Sequence, residues 1–579
     1  IMCHGPQRTQ NLDADSRRAF HRVHYGSKID PANRFHGLAV TYPQDIRNCT
    51  QCHASNAAQG DQWKKNPSRL ACGSCHDYVE FGTSTAPTCT DPPTLDSTSG
   101  LPVKCKHVGG VQNDDTTCGN SGCHTDTKIA DKHQPVLRPD PNNAWLVSGG
   151  NTRTNAAWLA AAGYVPTGAA KITYEIDSVK AVDDSAIAPN KRLQITFKLK
   201  KDGTDVVFQT ASSTVTEMIQ GFVGSPSIYF AFAVPQDGNN KPADFNATAN
   251  AYLKSIWDGS ATGSSAGTMT GPDTNGFYTV TLTGRQIPPT ATMLTGGLGY
   301  TYQLTTTPPL TQIDLAAYPY DTNGKKQGGL IVAALNVWKV ADGFTGRRAI
   351  VENARCNNCH GQLGVTPSYH AGQRNDAPTC SFCHVPDRAS SGWAAGSRYF
   401  IHAIHAGRKR FTPYTFHAAS ATANFSEVEF PSPLNDCKVC HLPNTYDFTA
   451  SASLAAVPNL QLTTVANGTY DSNPANNSSY YTLSPYVIAD GVTNYGARFS
   501  YNSATGSTTQ AASSTLVMSP ITTVCSACHD TPSAIMHMKN NGGQFYAQRS
   551  AVLAAGQTEG CMLCHGPGRI AAIGAVHQQ

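Results

Sequence analysis

Cys49-Thr-Gln-Cys-His53 is the stretch on which the reading of this chain turns. The same Cys-x-x-Cys-His pattern recurs at Cys72–Cys75–His76, Cys356–Cys359–His360, Cys380–Cys383–His384, Cys437–Cys440–His441, Cys525–Cys528–His529 and Cys561–Cys564–His565, making seven intact copies. Two cysteine sulfurs three positions apart can each add to one vinyl group of a haem, and the imidazole that follows then lies against the iron. Cys49, Cys52, Cys72 and Cys75 would also suit a four-cysteine zinc ribbon. Histidine decides between the two: with 20 His in 579 residues, chance does not place one after all seven cysteine pairs. The motif is a covalent haem c attachment site.

Two further sites are irregular. Cys118-Gly-Asn-Ser-Gly-Cys123-His124 has four residues between its cysteines, and its glycines allow the loop to fold back to a haem edge. Cys3-His4, in Ile-Met-Cys-His, lacks an upstream cysteine. It reads as the tail of an attachment site, which sets the expectation at nine haems on this chain and ten in its parent. Cys89 and Cys105 are the only cysteines outside these sites, and they are candidates for one disulfide in a Pro- and Thr-rich loop.

Composition bounds the class. The 579 residues exceed one ordinary domain, 50 are Gly and 35 are Pro, and only 14% are charged. Such a loop-rich chain needs its porphyrins to supply buried apolar surface. The formal charge of +4 does not point to nucleic acid. Each ferric haem with ionised propionates adds about −1, which turns the holoprotein negative. Short basic clusters such as Lys64-Lys65 and Gly407-Arg-Lys-Arg410 read as solvated surface. No apolar run of transmembrane length is encoded. Haem c is attached outside the bacterial inner membrane, so an export signal is expected upstream and the compartment is periplasmic, cell-surface or extracellular.

The two ends of the chain repeat one order of signals. After Cys380–His384 come Phe400-Ile-His402-Ala-Ile-His405-Ala-Gly407, Phe416-His417 and then Cys437; after Cys3-His4 come Phe20-His21-Arg-Val-His24-Tyr-Gly26, Phe35-His36 and then Cys49. His537 before the last site matches His107 before Cys118, and His577 after it matches His133. One module is used twice. The second copy holds five sites, and the first holds four because the counterpart of Cys356 with His370 is missing. Nine histidines are proximal: His4, His53, His76, His124, His360, His384, His441, His529 and His565. The distal candidates are His21, His24, His107, His133, His370, His402, His405, His537 and His577, with His36 and His417 left over. His21 with His24, and His402 with His405, share one helix face and could serve two neighbouring haems each. The matching of distal to proximal histidines stays open at this point.

Between the modules, residues 165–345 contain no Cys or His, and Arg192–Leu199, Ser227–Val234 and Phe277–Thr283 read as strands of an antiparallel β-sandwich or barrel. The glycine clusters near Gly296 and Gly328 read as turns. The expected organisation is a truncated haem module over 1–135, a linker over 136–164, the β-domain over 165–345 and a five-haem module over 346–579. The last contains a Ser-, Thr- and Asn-rich insertion at 442–524, expected to form a solvent-facing subdomain. The fold class is multidomain: two loop-rich, sparsely helical haem modules flanking an antiparallel β-domain.

The HAIHAG and HVGG distal motifs, the Tyr42-Pro-Gln-Asp-Ile-Arg-Asn-Cys49 run and the intervening β-domain resemble the OmcA/MtrC family of outer-membrane decahaem cytochromes. The resemblance covers nearly all of the chain. It implies the order β-domain, five-haem domain, split-barrel β-domain, five-haem domain, of which this chain lacks the first β-domain and first haem site. It implies bis-His haems forming a branched or staggered wire, conducting electrons from a periplasm-spanning conduit to metal oxides, electrodes or soluble shuttles. Its partners would be other cytochromes of that conduit, with peripheral membrane association. Two departures stand out. No Cys lies between Cys123 and Cys356, so the cysteine pair often found in the family's central β-domain is absent and a flavin response resting on it is not expected, and the Cys118–Cys123 spacing is unusually wide.

The leading reading is an electron-transfer protein with at most metal-reducing activity. One alternative is a subunit of an extracellular cytochrome filament. Another is a multihaem reductase of small oxyanions, which would need an open iron, often at a Cys-x-x-Cys-Lys site that this sequence does not contain. No nucleophile triad, phosphate-binding loop or His-Glu-x-x-His metal site is present.

Overall fold

The computed structural model describes residues 14–40, 42, 46, 49–54, 56–90, 93–119, 122–133, 172–220, 222–299, 302–304, 331–332, 334–360, 363, 370, 374–418, 424–449, 451–470, 482–488, 494–556 and 558–577. Cys3, His4, Gly328 and the expected linker 136–164 lie outside them. The chain divides into two compact units, one carrying the first Cys-His module and the other carrying the β-domain with the second module.

The first unit has little regular structure beyond helix α1, Ser16–Tyr25. Asp15 caps it by accepting the backbone N–H of Arg17, and the Arg17 guanidinium pairs with the same carboxylate at 3.0 Å. Cys89 and Cys105 are joined in a disulfide with their Cα atoms 4.9 Å apart. Cys105 also pairs in parallel with Val79, three residues after His76, so the crosslinked loop is tied to an attachment site.

In the second unit the β-domain comprises β1 (Ile172–Asp183), β2 (Lys191–Lys201), β3 (Thr204–Asp205), β4 (Ser227–Ala233), β5 (Ala247–Tyr252), β6 (Thr268–Thr270), β7 (Tyr278–Ile287), β8 (Met293–Gly299) and β9 (Val337–Val340). One antiparallel sheet runs β1-β2-β7-β6 with β3 beside β2, and the other runs β9-β8-β4-β5. Period-two alternation builds the interface: Leu193, Ile195, Phe197 and Leu199 of β2 point inward and are wholly buried against Phe230, Phe232 and Leu294 of the other sheet. The two sheets form a sandwich, with no closed barrel among the described strands. Gly296 and Gly297 are not turn residues. They lie inside β8, where a Cβ on Gly296 would come within 2.8 Å of Val179 and one on Gly297 within 2.9 Å of the Val337 carbonyl.

The insertion at 442–524 does not stand out as a solvent-facing subdomain. Thr463–Ala466 pairs with Leu516–Met518, which pairs with Ala547–Gln548. Val465, Ala466, Val487, Tyr495, Leu516 and Met518 fill one core with Trp393, Tyr399 and Tyr414. Tyr501 packs edge-on against Phe232 of the sandwich, with ring centroids 5.0 Å apart, and donates its hydroxyl to the Gln286 carbonyl at 2.6 Å. Its polar composition misleads because its hydroxyls are bonded in the interior: Thr463 accepts from Arg398 at 3.3 Å, Thr464 accepts from Arg549 at 2.8 Å and Thr515 donates to the Ala512 carbonyl at 2.8 Å, and all three residues are at most 1% exposed.

Arg410 is likewise not surface. Its side chain is fully buried near the faces of Trp393, Tyr399 and Tyr414 and pairs with Asp530 at 3.1 Å. A second buried cluster ties the sandwich to helix α2, Ser397–His405. There Asp244 meets Arg347 at 2.8 Å, Arg348 at 3.2 Å and Arg398 at 3.6 Å. Burial would raise the Asp244 pKa, but the three guanidinium groups outweigh it and hold the carboxyl well below the usual carboxylate range.

Replacing Asp244 with Ala leaves these three cations uncompensated and is expected to destabilise the protein by about 3–5 kcal/mol in chemical denaturation. Because the folded-state pKa is lowered, the stabilisation is present at neutral pH and is lost as pH falls below about 4. The Asp244→Ala variant should lack that component of acid sensitivity.

Candidate haem-binding sites

Six of the attachment motifs close on themselves. The backbone N–H of His53, His76, His384, His441, His529 and His565 donates to the carbonyl of the cysteine four positions earlier, at 2.8–2.9 Å. One such turn brings both sulfurs and the imidazole toward the same side of the backbone. Burial pushes the thiols of Cys75, Cys356, Cys380 and Cys525 up to about 12 and those of Cys440, Cys528 and Cys561 to about 11.

The remaining histidines come from elsewhere in the chain, mostly from helix ends. Nδ1 of His24, His133, His402, His405 and His577 hydrogen-bonds the carbonyl four residues back, at 2.7–3.2 Å, and His21 makes the same bond to Arg17. A carbonyl only accepts, so in each of these bonds Nδ1 carries the proton and Nε2 is the unprotonated nitrogen. His384 and His565 reach the same state through the carbonyls of Ala395, at 2.8 Å, and Ala571, at 3.0 Å. Burial lowers the pKa of His405 and His441 to about 4 and also lowers those of His53, His124, His370, His384, His402 and His529, favouring neutral imidazoles.

These two sets of rings face each other in eight pairs. His21 faces His53 at 6.2 Å between centroids, His133 faces His76 at 6.2 Å, and His107 faces His124 at 6.0 Å. In the second module His405 faces His360 at 6.1 Å, His370 faces His384 at 6.3 Å, and His402 faces His441 at 5.8 Å. His577 faces His529 at 6.0 Å, and His537 faces His565 at 6.2 Å. Two imidazoles on opposite sides of one metal ion, with metal–nitrogen bonds of about 2.0–2.1 Å, have centroids roughly 6 Å apart. The irregular Cys118–Cys123 site fits the rule through His124.

The surroundings suit a flat apolar group. Phe20, Val108, Ile401, Val524, Met536, Leu563 and Val576 each adjoin a Cys or His of a site in sequence, and all are more than a third exposed in a protein that buries comparable side chains elsewhere. The residues present therefore fit haem c: two thiols, two opposed imidazoles and an apolar rim.

Some expected residues are not brought together. His24 lies edge-on to Tyr42, at 5.7 Å, with no histidine facing it among the described residues. His370 does not form a unit with the Cys356 motif; it faces His384, and the Cys356 motif is served by His405. His36 and His417 face no histidine among the described residues. Each has left-handed backbone, φ 50° and 49°, and sits edge-on to the phenylalanine before it, Phe35 at 4.4 Å and Phe416 at 4.3 Å.

Three contributors went unnoticed in the sequence. Phe400 stacks on His384 with centroids 4.3 Å apart. Asp77 and Asp530, each next to a proximal histidine, reach back to the loop after the His-x-x-His helix. Asp77 accepts from the N–H of Asp30 at 3.2 Å and from Asn33 at 2.9 Å, and Asp530 accepts from the N–H of Phe411 at 2.7 Å and of Thr412 at 2.9 Å. The available signal was Cys-x-x-Cys-His-Asp, present at the matching site of both modules.

Residues 348–578 match the family described as outer membrane cytochrome MtrC/MtrF-like, domains II/IV. Among solved structures the chain is similar to MtrC from Shewanella baltica OS185, with 17% identity, a TM-score of 0.50, and coverage of 98% of this chain and 69% of that one. It also aligns with the outer membrane decaheme cytochrome OmcA, with 15% identity, a TM-score of 0.40, and coverage of 99% of this chain and 69% of that one. No curated protein sequence matches it. Residues 348–578 thus match a domain of MtrC/MtrF-like outer membrane cytochromes, in agreement with the resemblance carried by the motifs, and the chain shares the fold of MtrC.

Proposed function

We propose that this chain is an exported cell-surface cytochrome that passes electrons along covalently bound c-type haems, each iron held between two imidazoles, to extracellular acceptors such as metal oxides, electrodes or soluble shuttles. The observation that carries the reading is the set of eight histidine pairs at 5.8–6.3 Å, each joining a motif histidine to one from outside the motif. An iron closed on both faces offers no substrate site and exchanges electrons through the porphyrin edge. Haem supplies the redox chemistry, and the chain sets ligation, spacing and surrounding charge.

Which attachment sites are neighbours supports an order for the relay. After burial, the thiol of Cys356 is raised by Cys440 and Cys380, that of Cys528 by Cys437, and that of Cys525 by Cys561. In the first module, after burial, Cys75 is raised by Cys49 and Cys72 by Cys118. These neighbours support a line through the sites of His384, His360, His441, His529 and His565, and through those of His53, His76 and His124. His402 and His405, on one turn of α2, serve two adjacent members of that line. The organisation proposed is a four-site module over 1–135, a linker over 136–164, the β-domain over 165–345 and a five-site module over 346–579, working with the other cytochromes of an outer-membrane conduit.

The mass of the haem-loaded chain should count nine haems, and its oxidised spectrum should be low-spin throughout. Missing covalent haem or a predominantly high-spin spectrum would refute the proposal. His402→Ala should convert one haem equivalent to high spin by uncovering one face of the iron on His441, whereas His417→Ala should leave the spin state unchanged. Electron paramagnetic resonance distinguishes the two.

A further inference from the structure

The two modules match in their histidine pairs but differ in where they leave negative charge. Eight residues beyond the first histidine of each His-x-x-His pair stands Ile29 in the first module and Arg410 in the second, both buried. Arg410 neutralises Asp530 at 3.1 Å and donates to the carbonyl of Ser526, at 3.2 Å, and to that of Ala527, inside the Cys525–Cys528 motif. Ile29 cannot do this for Asp77. That carboxylate is held by neutral donors, the Asp30 N–H and the Asn33 amide, and no ion pair to it exists among the described residues. It lies beside His76, and its charge is felt at Cys75, where the thiol of Cys49 is also close.

At the next junction the difference is reversed. In the first module Asp115, which is felt at Cys72 and Cys118, pairs with Arg69 at 2.9 Å. In the second module the carboxylate felt at Cys525 and Cys561 is Glu559. It accepts four bonds of 2.7 Å, from the Ser519 hydroxyl, the Ile521 N–H, and the N–H and hydroxyl of Thr522; it makes no ion pair among the described residues, and the buried Arg398, which feels its charge, is itself engaged by Asp244 at 3.6 Å. Neutral donors hold a carboxylate in place without cancelling its charge, and a fixed negative charge in a partly desolvated setting favours ferric over ferrous haem.

We infer that Asp77 and Glu559 are potential-setting residues: Asp77 lowers the reduction potential of the haem on His76, Glu559 lowers those on His529 and His565, and the cation-paired Asp530 contributes little. Two modules with the same wiring thereby place their low-potential step at different junctions. The inference rests on the haem reading above and deepens it.

The test is a spectropotentiometric titration of the haem-loaded full chain. Asp77→Asn, which keeps the shape and the acceptor oxygen, should shift one one-electron step to higher potential and leave the others in place. Glu559→Gln should shift one or two different steps upward. The double variant Arg410→Met with Asp530→Asn removes both charges of a pair and should shift no step. If neither single amide variant moves a step, or if the double variant moves one as far as they do, the inference is overturned. Haem count and spin state are read on the same samples. Incomplete or high-spin haem in the parent protein would overturn the haem reading and this inference with it, whereas complete low-spin haem with unmoved potentials overturns this inference alone.

Discussion

An imidazole is best held for coordinating a metal through one nitrogen when its other nitrogen is hydrogen-bonded and its ring is aimed, and much of the architecture of this protein serves that arrangement. Six motif histidines are aimed by a turn that closes on the first cysteine of the site. Five of their eight partners are aimed by a bond from Nδ1 to the carbonyl four residues back. Helices here are short because their main task is to end in the right place: α2 is nine residues long and delivers two histidines to two different sites.

So little regular structure could not hold those positions alone, and the β-sandwich provides the rigid body against which the second module is built. The segment carrying Cys380 packs Phe382 edge-on against Phe245, with centroids 5.6 Å apart, in a cluster shared with Ala231 and Ala233 of β4 and Met293 of β8. Asp244 and its three arginines fasten α2 to the same body, and Arg410 with Asp530 fixes the loop of the Cys525 site. Buried ion pairs of this kind gain little over apolar packing, but they hold a geometry firmly once formed. Spacing between cofactors is the property an electron relay most needs held.

The internal repeat gives a second view of the same constraint. His21 with His53, His76 with His133 and His107 with His124 recur as His402 with His441, His529 with His577 and His537 with His565. The pairing of these histidines is thus the same in both copies. Charge is not: Ile29 stands where Arg410 does, and the carboxylates without cations fall at different junctions. The modules share their wiring and differ in electrostatics, which a duplicated wire can vary without losing a ligand.

Much of this was legible in the residues alone. The attachment sites are local, five residues closing one turn, so Cys49 to His53 and its repeats declare themselves without a fold. The sandwich strands were legible because alternation along β2 is also local. Tertiary structure decided whatever depends on residues far apart in the chain: that His370 faces His384 and not His360, that Arg410 and the polar insertion are interior, and that Gly296 lies where two sheets approach too closely for a side chain. The physical reason is the same in each case. A covalent or hydrogen-bonded turn is determined by neighbours in sequence, whereas the pairing of two rings about 6 Å apart, the neutralisation of a buried charge and the closeness of two sheets depend on which distant segments pack together.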